Sequence, residues 1–425
     1  MKNIIRTLIT YLAKKILNKY HPTIVGVTGS YGKTSAKEAI YVVVKKKYRV
    51  RRSLKNYNNE FGVPLTIIGA EGGGVSVGHW LRVILKAVAL LVWKHAAYPE
   101  ALVLEMGVDK SGDLAYLLDI ALCDVGVVTA VGPVHLEAFG TEEKVAKEKS
   151  TMVKRLSAQG IAVLNADNTY TDAMREKTKA HVLTYGFSEG VSVRALELEH
   201  NDDQAQAHVL RFKLQTASAT VPVALRNLVG KHQVYPLLAA AAVGQALGMH
   251  LVDIANALGS YTPPKGRMHL LDGIKHTLLI DDTYNASPES VTAAIDSLAQ
   301  LHTLPGVRKI AVLGDMLELG NKSKSAHRAI GKQVAKSGIA YLLTVGSLGK
   351  FIGEAAQQAG MYRGNIAMFD DASAAGKYLQ DLMHENDVVL LKGSQGVRME
   401  RVVKEVMADP LHAEALLVRQ GKEWK

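Results

Sequence analysis

The sequence predicts an α/β protein: a mostly parallel sheet covered by helices and extended by antiparallel strands, followed by a second, doubly wound α/β unit. Three observations carry this. Between Thr23 and about Leu183, short β-branched runs alternate with helical stretches. Residues 191–225 then alternate apolar and polar side chains without helix signals, as antiparallel strands with one wet face do. Beyond the break Tyr261-Thr-Pro-Pro-Lys-Gly266 the strand–helix alternation resumes.

Taken in order, residues 1–20 place Ile5, Leu8, Ile9, Leu12, Ile16 and Leu17 at helical spacing with Lys and Arg between them, a basic amphipathic helix. Its apolar stretches are too short for a signal-peptide core, and no small-residue cleavage site follows. The strand Thr23–Thr28 leads to a helix over 33–46. An apolar helical segment, 75–98, contains the stretch 78–94, in which His79, Arg82 and Lys86 share one face and Trp80, Ile84, Val88 and Leu91 another. It suits either a helix packed on its own domain or one lying in a membrane interface, and its longest uncharged run, Ala87 to Trp93, cannot span a bilayer. Strands then fall at 101–106, 124–130 and 160–166, with helices over 111–121, 141–157 and 169–179. An Ala-rich helix, 233–247, closes the region. The second series gives strands 276–281, 309–315, 340–346 and 387–393, with helices over 287–301, 323–337, 347–359 and 395–407. The expected division is 1–22, 23–262 and 263–425.

The composition is that of an ordinary globular chain, with 21% charged and 48% apolar residues among 425. Net charge is +11, but residues 1–55 hold 14 Lys and Arg against one acid, Glu38, while the remainder sums to −2. The basicity is therefore local. A single cysteine, Cys123, excludes an intramolecular disulfide framework and any multi-cysteine metal site, and fits a reducing, cytoplasmic setting.

Between the strand Thr23–Thr28 and the following helix stands Gly29-Ser-Tyr-Gly-Lys-Thr-Ser35. Glycines there let the backbone approach phosphates, helix-start amides point at anionic oxygens, Lys33 can neutralise the terminal phosphates and the Thr34 hydroxyl can ligate Mg²⁺. The context makes this an ATP or GTP site, and the first unit P-loop ATPase-like. Val27 stands where the usual phosphate loop has its first glycine, with Gly26 one place earlier, so the loop is the shorter GxxGK[ST] variant. Gly29, Ser30, Gly32, Lys33, Thr34 and Ser35 are the expected nucleotide-binding residues.

In this loop the chain resembles the Mur ligase family, ATP-dependent amide-forming enzymes of peptidoglycan synthesis. The resemblance extends from about residue 23 to 407 through Asn56-Tyr-Asn-Asn-Glu-Phe-Gly-Val-Pro64, Glu105-Met-Gly107, Val131-Gly-Pro-Val-His-Leu-Glu137, Ala146-Lys-Glu-Lys149, Gly266-Arg267, Asp281-Asp-Thr-Tyr-Asn-Ala-Ser-Pro288, Gly314-Asp-Met-Leu-Glu-Leu-Gly320 and Lys392-Gly-Ser-Gln-Gly396. It is strongest to the branch that adds D-alanyl-D-alanine to a UDP-N-acetylmuramoyl-tripeptide through an acyl phosphate. The resemblance implies a Rossmann-like C-terminal unit, and Mg²⁺ held by Thr34 and Glu105. It further implies a second cation near His135 and near Lys149, the latter carbamylated, with Lys147 as the rival register. Arg267, Asp282 and Asn285 are implied for the nucleotide; Asn56, Asn58, Asn59, Lys392 and Ser394 for the sugar nucleotide and peptide. With Lys33, the implied catalytic set is Glu105, His135 and Lys149.

Two departures bear on this. The chain has His232-Gln-Val-Tyr-Pro236 where relatives carry His-Asn and a further Asn, leaving the adenine contacts open. Only about 22 residues precede the first strand, where this branch carries a UDP-sugar-binding domain, so either UDP is recognised differently or the substrate is unusual. The alternatives are a family member with another acceptor, resembling folylpolyglutamate or cyanophycin synthetases, and, from another class, a nucleic-acid-binding ATPase suggested by the basic segment. No stacking-aromatic motif supports the last, so no nucleic-acid partner is expected. The expected protein is a cytoplasmic monomer, with peripheral membrane contact through 1–20 and 78–94 open.

Overall fold

Alternation along the first strand explains how the larger sheet is covered. In the computed structural model, which describes all residues except 1, 55–56, 75, 135, 204–206, 422–423 and 425, Ile24 faces one core while Val25 and Val27 face another. Successive strand side chains point to opposite faces, so a sheet buried on both sides needs apolar residues at every position. Each such side chain contributes about 1.5–3 kcal/mol on burial.

The nine strands of this sheet are β1 (Thr23–Thr28), β2 (Val50–Arg52), β3 (Ala101–Glu105), β4 (Val125–Val128), β5 (Ile161–Asn165), β6 (His181–Gly186), β7 (Val193–Asp203), β8 (Ala207–Thr216) and β9 (Thr220–Arg226). They lie in the order β2-β3-β1-β4-β5-β6-β7-β8-β9. Pairing is parallel from β2 to β7 and antiparallel through β8 and β9. Of the first five helices, α1 (Lys2–Tyr20), α2 (Lys33–Val44), α3 (Gly62–Ile68), α4 (Val77–Val92) and α5 (Asp113–Ile120), all but α2 cover one face; α2 lies on the other with Val234–Ala246 and Leu251–Leu258.

After Tyr261–Gly266 every strand joins a second sheet: β10 (His269–Asp272), β11 (Leu278–Asp282), β12 (Lys309–Gly314), β13 (Tyr341–Val345), β14 (Ile366–Phe369) and β15 (Val388–Lys392), in the order β10-β11-β15-β12-β13-β14. Only the edge strand β10 is antiparallel to its neighbour. Leu279 and Leu391 face one core, Ile280 and Leu390 the other.

Several elements differ from the sequence expectation. The helix expected over 141–157 is two, Glu142–Lys149 and Thr151–Lys154, because the Ser150 hydroxyl donates to the Lys147 carbonyl at 2.6 Å and turns the chain. The helix over 169–179 shrinks to Thr169–Asp172 plus a 3₁₀ turn, Arg175–Lys177. The helix over 395–407 is a 3₁₀ turn, Gln395–Val397, followed by Glu400–Val406. Strands β2, β6, β10 and β14 and the helices α3, Leu251–Leu258 and Ala372–Leu382 were not expected; Asp371 starts the last of these by accepting from the Ser373 and Ala374 amides. Among the described residues no helix is long and apolar enough to cross a membrane.

Candidate active site

The loop after β1 is built by two glycines at positive φ, Gly29 at 150° and Gly32 at 80°. A Cβ on Gly29 would stand 2.0 Å from Thr129 Oγ1, so close packing against the end of β4 excludes any larger residue. That neighbour also pins the loop: Ser30 N donates to the Ala130 carbonyl at 2.7 Å, Gly132 N to Ser30 Oγ at 3.1 Å, and Thr129 Oγ1 to the Tyr31 carbonyl at 2.6 Å. The Lys33 ammonium is folded back, donating to the carbonyls of Gly29 at 2.8 Å and Ser30 at 3.2 Å. Burial lowers its pKa, against the opposing pull of Glu105.

Glu105 ends β3 beside this loop, since the parallel register sets it against Val27. Its carboxylate is buried and accepts from Thr34 Oγ1 at 3.2 Å and Asn58 Nδ2 at 3.3 Å on one oxygen; the other lies 3.6 Å from the Lys37 ammonium. Lys37 is only 1% exposed and also meets Glu38 at 3.2 Å, which pairs with Arg52 at 2.7 Å. This relay fixes the orientation of the carboxylate. A hard-oxygen pair of hydroxyl and carboxylate fits Mg²⁺, which takes few protein ligands and fills its octahedron with waters and phosphate oxygens.

Of the two lysine registers on Glu142–Lys149, the structure buries Lys149 and exposes Lys147. Burial, followed by the nearby Lys33 charge, brings the Lys149 pKa down from 10.5 to about 7. Near pH 7 a substantial share of such an amine is unprotonated, the form that is nucleophilic toward CO₂. Its neighbour Glu148 accepts from the amides of Gly112 and Leu114, both at 3.0 Å, and so ties this helix to the start of α5.

The second sheet presents its own strand ends to the loop. A cleft of about 820 Å³ is lined by Ser30, Gly32, Lys33, Thr34, Asn58, Asn59 and Glu105 on one side and by Arg267, Asn285 and Ser394 on the other. The Arg267 guanidinium lies over the Tyr284 ring at 4.0 Å. Asp282 and Lys392 are cross-strand neighbours of β11 and β15, and the ammonium meets the carboxylate at 2.5 Å in a buried pair. Lys392 also donates to the Asn285 carbonyl at 3.0 Å. Together they line a smaller cavity of about 270 Å³ with Ser35 and Arg267, instead of the large cleft where Ser394 and Asn285 stand. Ser394 Oγ accepts from Leu317 N at 2.9 Å. Asn59 caps the start of α3, accepting from Phe61 N at 3.2 Å and Gly62 N at 3.0 Å. His135 and Asn56 lie outside the described residues.

The smaller cavity brings in groups that sequence reasoning missed: Asn165 at the end of β5, Tyr185 in β6 and Tyr235. His232 and Gln233, singled out as a departure, line it too. Burial drives the His232 pKa from 6.5 down to about 4, so the imidazole is neutral; its Nδ1 lies 3.2 Å from Ser297 Oγ. Gln233 Oε1 is buried without a hydrogen-bond partner among the described residues. The one usable signal was position: Asn165 ends a strand at the carboxyl edge of a parallel sheet, where ligands bind.

The fold and this site define a phosphate-loop α/β protein whose anion-binding loop faces a second α/β unit across a polar cleft. The Mur ligase middle domain matches residues 87–244, and the Mur ligase glutamate ligase domain matches 266–395. The chain is 30% identical over 396 residues to the UDP-N-acetylmuramoyl-tripeptide–D-alanyl-D-alanine ligase of Escherichia coli, covering 92% of this chain and 78% of that protein. To the enzyme of the same name from Bacillus subtilis it is 28% identical over 410 residues, covering 95% and 80%. Among solved structures it resembles MurF from Acinetobacter baumannii, with a TM-score of 0.77, 26% identity and coverage of 96% and 80%. It also resembles MurF ligase from Thermotoga maritima in complex with ADP, with a TM-score of 0.75, 29% identity and coverage of 94% and 83%. The chain belongs to the Mur ligase family. Escherichia coli FolC, at 18% identity and a TM-score of 0.60, shares the fold.

Proposed function

We infer that this protein is an ATP-dependent carboxylate–amine ligase that joins D-alanyl-D-alanine to a UDP-N-acetylmuramoyl-tripeptide. The observation that carries the reading is the juxtaposition of Lys33, Thr34 and Glu105 with Arg267, Asn285 and Ser394 across one cleft, in a chain of this family. The muramyl peptide's terminal carboxylate attacks the γ-phosphorus of ATP, releasing ADP and leaving an acyl phosphate; the dipeptide amine then attacks the acyl carbon and phosphate departs. Folylpolyglutamate- and cyanophycin-type acceptors and nucleic acid are not favoured.

The amides from Gly29 to Ser35 and the Lys33 ammonium bind the phosphates, and Arg267 closes on them with its planar fork. Thr34 and Glu105 would hold Mg²⁺, with Lys149 as its carbamate and His135 toward a second ion. When bound, Mg²⁺ neutralises the phosphoryl oxygens as charge gathers on them. The smaller cavity takes the base, with the unpaired Gln233 Oε1 accepting from its amino group. Asn285 faces the nucleotide and Ser394 the reacting carboxylate, while Asn58, with Asn56 and Asn59, orients the sugar nucleotide. Asp282 and Lys392 act as a pair that fixes the wall between the two cavities. The division 1–22, 23–262 and 263–425 gives a basic helix, an ATP-binding unit and a closing unit, in a monomer working in the cytoplasm.

The test is ADP release measured with ATP and each combination of substrates. Release that requires both UDP-N-acetylmuramoyl-tripeptide and D-alanyl-D-alanine is expected; release with neither, or none with any muramyl peptide, refutes the reading.

A further inference from the structure

Helix α4 carries two apolar stripes, and among the described residues only one is packed into a core. Val83, Ala87 and Leu90 pack into the core beneath it, whereas Val77, Leu81, Leu85, Val88 and Val92, at spacings of four and three on the opposite side, are 40–65% exposed. Sixteen residues at 1.5 Å each make this outward line about 24 Å long. It continues into Trp93, also exposed.

Beside it lies α1, whose buried residues Ile9, Leu12, Ala13, Ile16 and Leu17 face the same core, while Ile4, Leu8 and Tyr11 project outward. The two helices are locked end to end. The Lys19 ammonium donates to the carbonyls of Leu90, Leu91 and Trp93 at 3.0, 2.7 and 2.9 Å, satisfying the free carbonyls that close α4, and the Tyr20 hydroxyl donates to the Leu90 carbonyl at 3.0 Å. Lys19 sits on the same side of α1 as Leu8, so the outward stripe of α1 borders α4.

Charge says what this face meets. Residues 2–20 and 77–94 hold Lys2, Arg6, Lys14, Lys15, Lys19, Arg82, Lys86 and Lys94 and no acid. Lys2, Lys14, Lys15, Arg82 and Lys94 are exposed around the stripes. A second copy of the chain would bring cation against cation, whereas an anionic bilayer supplies both an apolar layer and negative headgroups.

We propose that the α1–α4 face is a membrane-docking surface, lying flat in the headgroup region of an anionic bilayer with Leu81, Leu85, Val88 and Trp93 as its apolar anchors. It stands independently of the ligase reading, since none of these residues lines the cleft.

The full chain is sedimented with vesicles of phosphatidylcholine alone and of phosphatidylcholine with phosphatidylglycerol. Binding to the anionic vesicles, weakened by added salt, is expected. Leu81→Glu with Leu85→Glu should lower the vesicle partition coefficient at least about tenfold, with ADP release and melting temperature unchanged; Lys14→Glu with Lys15→Glu should act in the same direction. If the glutamate pair does not fold, Leu81→Ser with Leu85→Ser replaces it. Absence of binding to anionic vesicles, or binding untouched by these variants, overturns the proposal. So does a lipid-free dimer in sedimentation velocity that Leu81→Glu dissolves, which would give the face to a second copy.

Discussion

Replacing Lys392 by Met separates a wall-forming role from a substrate-binding one. The ammonium and the Asp282 carboxylate meet at 2.5 Å with side chains 1% and 8% exposed, so neither can turn to water when the other is removed. Among the described residues Asp282 also accepts from the Met268 amide at 3.2 Å. Breaking such a buried pair by removing one member costs about 3–5 kcal/mol, because an uncompensated charge is left behind. Replacing both members, Lys392→Met with Asp282→Asn, removes that charge, and most of the loss should return. The coupling between the two substitutions should then be on the order of 2–3 kcal/mol. Urea unfolding of the four proteins, followed by tryptophan fluorescence, measures it. A Lys392→Met protein as stable as wild type, or two costs that simply add, would refute the reasoning. A double variant that recovers stability and ADP release together would show Lys392 acting through the wall; stability without release would mean that it touches substrate.

Lys33→Ala should abolish ADP release while leaving the melting temperature within a degree or so, because its bonds run only to its own loop; retained turnover would place the nucleotide elsewhere. Carbamate on Lys149, seen by NMR in ¹³C-bicarbonate, should be populated above pH 7 and fade below it, since the amine is protonated below its pKa of about 7; a signal independent of pH, or surviving Lys149→Ala, sinks this assignment. Gln233→Leu should raise the KM for ATP roughly tenfold, the cost of one buried hydrogen bond, with kcat little changed. An unaltered KM would move the base out of the smaller cavity.

How much of this was legible depended on the reach of each signal. The β-branched runs of β1, β3, β4, β5, β11, β12, β13 and β15 are visible because strands buried on both faces are apolar throughout. Strands β2 and β10 escaped because they are edge strands of three and four residues, Val-Arg-Arg and His-Leu-Leu-Asp, whose pairing comes from a neighbour. The helix Ala372–Leu382 opens Ala-Ser-Ala-Ala-Gly, too small-sided for a clear apolar period, and is held by tertiary packing of Ala375 and Leu379. In the site, Lys33, Thr34 and Glu105 were readable because loop and strand end are each a local pattern. The smaller cavity was not, since Asn165 and Tyr185 of the first sheet, His232 on a 3₁₀ turn and Asp282 of the second sheet meet only through tertiary packing. The partnership of Asp282 with Lys392 needed the register of β11 against β15, 110 residues apart.

The folded-back Lys33 makes entry of a nucleotide an exchange. The ammonium donates to two carbonyls of its own turn. An incoming anion must outbid both, and a singly charged one such as chloride has little with which to do so. On the ligase reading, a triphosphate has enough charged oxygens to replace both carbonyls around the ammonium, so the loop favours anions of high charge density.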